Sequence, residues 1–191
     1  KTVEYYDDFY TWRGRIYTPL NRYFEGKDPL TEVARFLGNL GFDHSAIKVD
    51  AEDRPNKSPS ASCWGINVPK DVRILYRRAT AFSDFEAVFH EFGHGIHAKS
   101  ADPQDSVWKR YLVPHSVAET FSILIESVTA NPLFLREDLK LEDEAIKDII
   151  DRVRFMNLAL LTFYAANSIM KMEFWKKNYS VEQAAKKWQE P

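Results

Sequence analysis

Apolar positions recur at three- and four-residue steps along most of the chain, the spacing of helices that bury one face. Phe85, Val88, Phe89, Phe92 and Ile96 make one such stripe. It predicts a helix that begins at a capping box, Ser83-Asp84-Phe85-Glu86, is weakened by Gly93 and Gly95, and stops at Pro103 at the latest. Gly93 costs helix propensity, so its expected use is to let another segment or a substrate come close. Val117, Phe121, Leu124, Ile125 and Val128 predict a second helix from about Pro114 to Ala130, ended by Asn131-Pro132. A third helical pattern runs from Glu142 to Lys177, almost uniformly apolar between Phe155 and Met170. Asn157, Thr162, Asn167 and Ser168 keep that stretch short of the continuous apolar run of about eighteen residues needed for a membrane span. It reads as a helix buried on all sides, with part of its covering protein outside this chain.

The N-terminal pattern is also helical. Thr2 to about Glu25 is aromatic-rich and predicts one long or broken helix, interrupted near Gly14 and Pro19. Asp28-Pro29 opens a short helix that Gly38 or Gly41 closes, and Ser180 with Gln183 marks another capped start. The stretch from Asp50 to Ser62 is polar, carries two prolines and reads as loop. Strand periodicity is strong in one place only. Cys63 to Val68 and Val72 to Tyr76 are β-rich runs joined by Pro69-Lys70-Asp71, a hairpin by pattern. The fold class that follows is mainly α, with a small antiparallel β-hairpin and no internal repeat or glycine-rich phosphate loop.

The chemistry concentrates at His90-Glu91-Phe92-Gly93-His94. Four residues along a helix turn the chain by about 400° and raise it by about 6 Å, so His90 and His94 share one face, one turn apart. Two imidazoles at that spacing can reach one zinc ion, and Glu91 emerges beside the first, placed to take a proton from a metal-bound water. Only five histidines occur in the chain, and two of them fall at ligand spacing with Glu in the catalytic slot. Catalytic zinc takes three protein ligands. Glu119, one turn into the second helix, is the expected third; His115, at that helix's entrance, competes with it. Glu126, two turns beyond Glu119 on the same face, reads either as an acceptor supporting a ligand or as a solvated carboxylate.

These residues resemble the zinc oligopeptidases of the thimet oligopeptidase and oligoendopeptidase F group. His90 to His97 (HEFGHGIH) is similar to the family's zinc helix, and Val117-Ala118-Glu119-Thr120-Phe121-Ser122, followed by Glu126, to its third-ligand helix. Lys57 to Tyr76 resembles the strand pair that precedes the zinc helix. The resemblance implies a zincin-like catalytic region in which His90, His94 and Glu119 bind Zn2+ and Glu91 is the general base, acting on short peptides. It also makes Ser122 and Glu126 the candidates for supporting the ligands. One departure stands against it: the family stabilises the reacting oxygen with tyrosine and histidine from a segment well downstream of the third ligand. No His follows His115, and the surroundings of Tyr164 and Tyr179 do not match that segment.

The remaining features narrow the setting. With 191 residues, 45% hydrophobic and 28% charged, the chain reads as a single catalytic-region segment of a larger helical enzyme. Within it, residues 1–56 hold N-terminal helices and a loop, 57–131 the hairpin and zinc-binding helices, and 132–191 the C-terminal helices. A net charge of −2 without a basic run argues against nucleic acid as partner. A lone Cys63 excludes an internal disulfide and makes a cytoplasmic, reducing setting the expectation; it reads as a buried structural residue. The competing function class is a zinc-binding or metal-free scaffold, or an inactive fragment of such an enzyme.

Overall fold

The structure, a computed structural model, describes residues 15–78 and 82–188. The aromatic stretch expected to be helical from Thr2 lies outside the described residues as far as residue 14. From Arg15 to Tyr23 the chain is a 3-10 helix with Pro19 inside it. The elements that follow are α1 (Pro29–Asn39), β1 (Ile47–Asp50), β2 (Ser62–Asn67), β3 (Asp71–Leu75), α2 (Phe82–Lys99), α3 (Val107–Tyr111), α4 (His115–Glu126), α5 (Asp143–Lys177) and α6 (Val181–Trp188). The fold is mainly helical with a small three-stranded mixed sheet. It forms two compact units divided after Ile150, a point inside α5.

In the first unit the apolar stripe of α2 makes the core. Phe82, Phe85, Val88 and Phe89 are fully buried, against Leu20 from the 3-10 helix and Phe24 just after it, Val33 and Leu37 from α1, and Leu135. The rings of Phe24 and Phe85 lie 4.8 Å apart and those of Phe89 and Phe134 meet edge-on at 5.4 Å, arrangements favoured by aromatic quadrupoles. Asp28 caps α1, its carboxylate accepting from the Thr31 N–H at 3.1 Å.

The hairpin is embedded in a larger sheet than the sequence pattern predicts. Strands β2 and β3 pair antiparallel with Cys63 opposite Ile74. The expectation of a hairpin alone is corrected by β1, which pairs parallel to β3 with Ile47 opposite Val72. Its four residues, Ile47-Lys48-Val49-Asp50, are too few for alternation to stand out from helix spacing. The order β1-β3-β2 leaves β2 as an edge. The loop between β1 and β2 is held from inside by Lys57, whose buried ammonium donates to the carbonyls of Asp50 at 2.9 Å and Glu52 at 2.6 Å. A buried ammonium stays charged only with such acceptors.

Two further expectations are corrected. Phe82 and Ser83 are already helical, so Ser83 is not the cap of α2; Glu86, expected to reach back to it, instead accepts from the Tyr17 hydroxyl. In the second unit the long apolar stretch is helical as expected but not buried: Leu158, Leu161, Tyr164, Ile169, Met172 and Trp175 are exposed. Uniform apolarity expresses a demand for burial, which the second unit by itself does not meet. Before α6, Ser180 and Gln183 do form the expected box, the Gln183 amide oxygen accepting from the Ser180 N–H at 2.8 Å and the Ser180 hydroxyl from the Gln183 N–H at 3.3 Å. Among the described residues no helix is long and apolar enough to cross a membrane.

The contact that positions the site is between α2 and α4. A Cβ on Gly93 would lie 2.6 Å from both the Phe121 carbonyl oxygen and the Ser122 Cα. Backbone cannot give way as a side-chain tip can, so only glycine permits this approach. Gly93→Ala is therefore expected to lower unfolding free energy by about 1–3 kcal/mol, the usual cost of overpacking. Urea denaturation measures it, and an unchanged midpoint would show that the crossing has slack.

Candidate metal centre

Three side chains from α2 and α4 converge. His90, His94 and Glu119 each offer one donor atom, all within 4.8 Å of one another; among the described residues they are the one such grouping that can hold a metal ion. The Nε2 atoms of His90 and His94 lie 3.4 and 3.6 Å from Glu119 Oε2. Their pairing follows from the helical step of four residues, which stacks the two imidazoles on one face, with ring centroids 4.9 Å apart. Glu119 is brought opposite them by the Gly93 crossing.

Two of the three ligand candidates are held by a neighbour. His90 Nδ1 stands 2.7 Å from Glu126 Oε2. A carboxylate only accepts, so in neutral His90 the hydrogen sits on Nδ1 and Nε2 presents its lone pair to the site. The hydrogen bond to Glu126 also raises the His90 pKa above the ordinary histidine value. Burial lowers that of His94, which favours its neutral form. The Ser122 hydroxyl, fully buried, donates to Glu119 Oε2 at 2.7 Å and holds that carboxylate below the usual range. Both residues expected to support the ligands thus touch them.

Glu91 points from α2 toward β2. Its pKa is raised, chiefly by burial, while the backbone N–H of Cys63 favours the charged form. A raised pKa makes a carboxylate a better proton acceptor. Cys63 itself is inert: burial, then the Glu91 charge, pushes its thiol up to about 12.

Not every candidate joins the group. His115 is exposed at the start of α4 and outside the trio. His97 stacks on Phe121 with ring centroids 4.2 Å apart, where it steadies the two helices against each other. Two contributions had no signal in the sequence. The Cys63 amide is backbone, which no residue type advertises. The sequence pattern predicts Glu86 to be a cap, whereas in the structure burial, then the charge of Glu126, pushes its carboxyl up to about 8.

Comparison of the chain with protein-family models, with curated proteins and with solved structures gives no match.

Two outcomes are expected at this site. Glu126→Gln should weaken metal binding by about 10- to 100-fold, the usual effect of losing the group behind a ligating histidine. Glu119→Ala should weaken it more, both read by competition with a chromophoric chelator. If Glu119→Ala holds metal as tightly as the parent, it is not a ligand and His115 becomes the next candidate. The Glu86 carboxyl has a folded pKa near 8 against an ordinary 4.5. The native state then binds more protons than the unfolded state between these values, so metal-free stability falls as pH rises through that window. Glu86→Gln should flatten the fall and raise stability at pH above 8, as measured by denaturation across pH.

Proposed function

We propose that the chain is the catalytic region of a zincin-like zinc metallopeptidase of the thimet oligopeptidase and oligoendopeptidase F type, hydrolysing short peptides. The observation that carries the reading is the convergence of His90, His94 and Glu119 with Glu91 beside them. A tetrahedral zinc site with ligands at about 2.0–2.1 Å sets neighbouring donors about 3.3 Å apart, and the separations of 3.4 and 3.6 Å agree with it. Two imidazole nitrogens and one carboxylate oxygen suit zinc, whereas calcium asks for about 6–8 oxygens.

When bound, zinc supplies a Lewis acid that acidifies a water and polarises a carbonyl. The chain's residues do the rest. Glu91 removes a proton from the water as its oxygen bonds to the peptide carbon, and returns the proton to the amide nitrogen as the C–N bond breaks. The Cys63 N–H aims the Glu91 carboxylate and favours its charged form before the first transfer and after the second. Glu126 fixes the tautomer of His90, and Ser122 the orientation of Glu119. The edge strand β2, adjoining Glu91 through Cys63, offers unpaired backbone groups to an extended peptide and holds it by strand addition.

Glu91→Gln keeps the side chain's size and removes its ability to accept a proton. Zinc content, measured by elemental analysis, should stay at the level of the parent protein. Peptide hydrolysis by the zinc-loaded protein should fall by about 10²- to 10⁴-fold. Cleavage at the original rate would show that Glu91 is not the base, and loss of zinc that its role is structural.

A further inference from the structure

The edge of β2 is not open along its whole length, and the consequence for substrate rests on the peptidase reading above. In an antiparallel ladder alternate residues turn their N–H and C=O to the same side. Because β2 is the edge strand, the N–H and C=O groups of its alternate residues lie on the free edge, and the Glu91 carboxylate lies beside the Cys63 N–H. The register then breaks between Gly65 and Asn67. There the chain folds back so closely that a Cβ on Gly65 would lie 2.6 Å from Val68 Cγ2.

Past that break, side chains of α3 take backbone groups of Ile66, near the end of β2, and of Val68 in the turn that follows it. The Tyr111 hydroxyl accepts from the Val68 N–H at 2.9 Å and faces the Ile66 carbonyl at 3.5 Å. The Arg110 guanidinium donates to the Val68 carbonyl and is steadied by the Asp105 carbonyl at 3.1 Å. A hydroxyl that both accepts and donates satisfies the groups that a neighbouring strand would otherwise pair. An incoming peptide would exchange one set of hydrogen bonds for another there, with little net gain.

We propose that Tyr111 and Arg110 close the C-terminal end of the β2 edge and so set the reach of a bound peptide on that side of the metal. From Cys63 beside Glu91 to Ile66 beside Tyr111 the strand advances three residues, roughly 10 Å at about 3.3 Å each. About three peptide residues are paired on that side, and those beyond add nothing. Trp64 and Ile66, 58% and 55% exposed, flank this stretch and offer apolar surface to the peptide's side chains.

The test uses end-blocked, fluorescently labelled alanine-valine peptides lengthened one residue at a time from either end. Each is titrated into the chelator-treated protein and assayed for cleavage by the zinc-loaded protein. For the wild type, affinity should stop rising after about three residues from one end. Tyr111→Phe should match the wild type on short peptides and keep gaining on longer ones, reaching several-fold tighter binding. Should Tyr111→Phe lower the melting temperature, Arg110→Gln, which frees the Val68 carbonyl, gives the same reading. Identical length profiles in wild type and variant overturn the proposal, as does an equal change for short and long peptides or the absence of peptide binding. Length-limited binding without cleavage by the zinc-loaded protein upholds the edge closure and overturns the peptidase reading. Cleavage whose length dependence ignores Tyr111 does the reverse.

Discussion

The site depends on one close approach between backbones, Gly93 of α2 against Phe121 and Ser122 of α4. Helix axes normally stay about 8–10 Å apart because side chains stand between them. Removing the side chain at the crossing lets α4 sink toward α2. That brings Glu119 Oε2 within 3.4 and 3.6 Å of the two imidazole nitrogens. It also seats Ser122, fully buried at the same crossing, against the Glu119 carboxylate at 2.7 Å. A methyl group at position 93 would act on the fold and on the donor spacing at once.

Around that crossing the charges are arranged in depth. Glu119 faces the histidines, Glu126 lies behind His90, and Glu86 lies deeper, its pKa raised by burial and by Glu126. Burial and the nearby Glu126 charge both disfavour the ionised form of Glu86, which holds its proton near neutrality. Tyr17 supplies the hydrogen bond that Glu86 still needs. The Tyr17 ring in turn meets Phe82 edge-on at 5.0 Å, which ties it to the aromatic core.

The strand side is organised differently. β3, the central strand, buries Val72 and Ile74 and anchors the sheet. β2 buries little and serves through its backbone, with the Cys63 amide turned to Glu91 and the far end taken by Tyr111 and Arg110. A strand that contributes backbone rather than side chains tolerates the polar and glycine-containing sequence Ser62-Cys63-Trp64-Gly65-Ile66-Asn67.

Local spacing carried the helices and the identity of the site residues, because a helix face is a property of neighbours in the chain. His90 and His94 must share a face if the segment is helical, and the stripe from Phe85 to Ile96 made it so. Glu119, Ser122 and Glu126 were legible as one face of a second helix, and the hairpin as two alternating runs with a turn. What local spacing does not contain is which faces meet. The parallel pairing of β1 with β3 joins residues about 25 apart through a loop whose length carries no signal. Glu86 looked like a cap because its nearest possible partner in sequence was Ser83, whereas its actual partner, Tyr17, comes from a separate helix. The apolar run in α5 specified a need for burial without specifying a neighbour, and in the second unit by itself it stays exposed. Side-chain type and periodicity are written residue by residue; the approach of Gly93 to Ser122, and the donor distances that follow from it, belong to packing between distant segments and exist only in the folded chain.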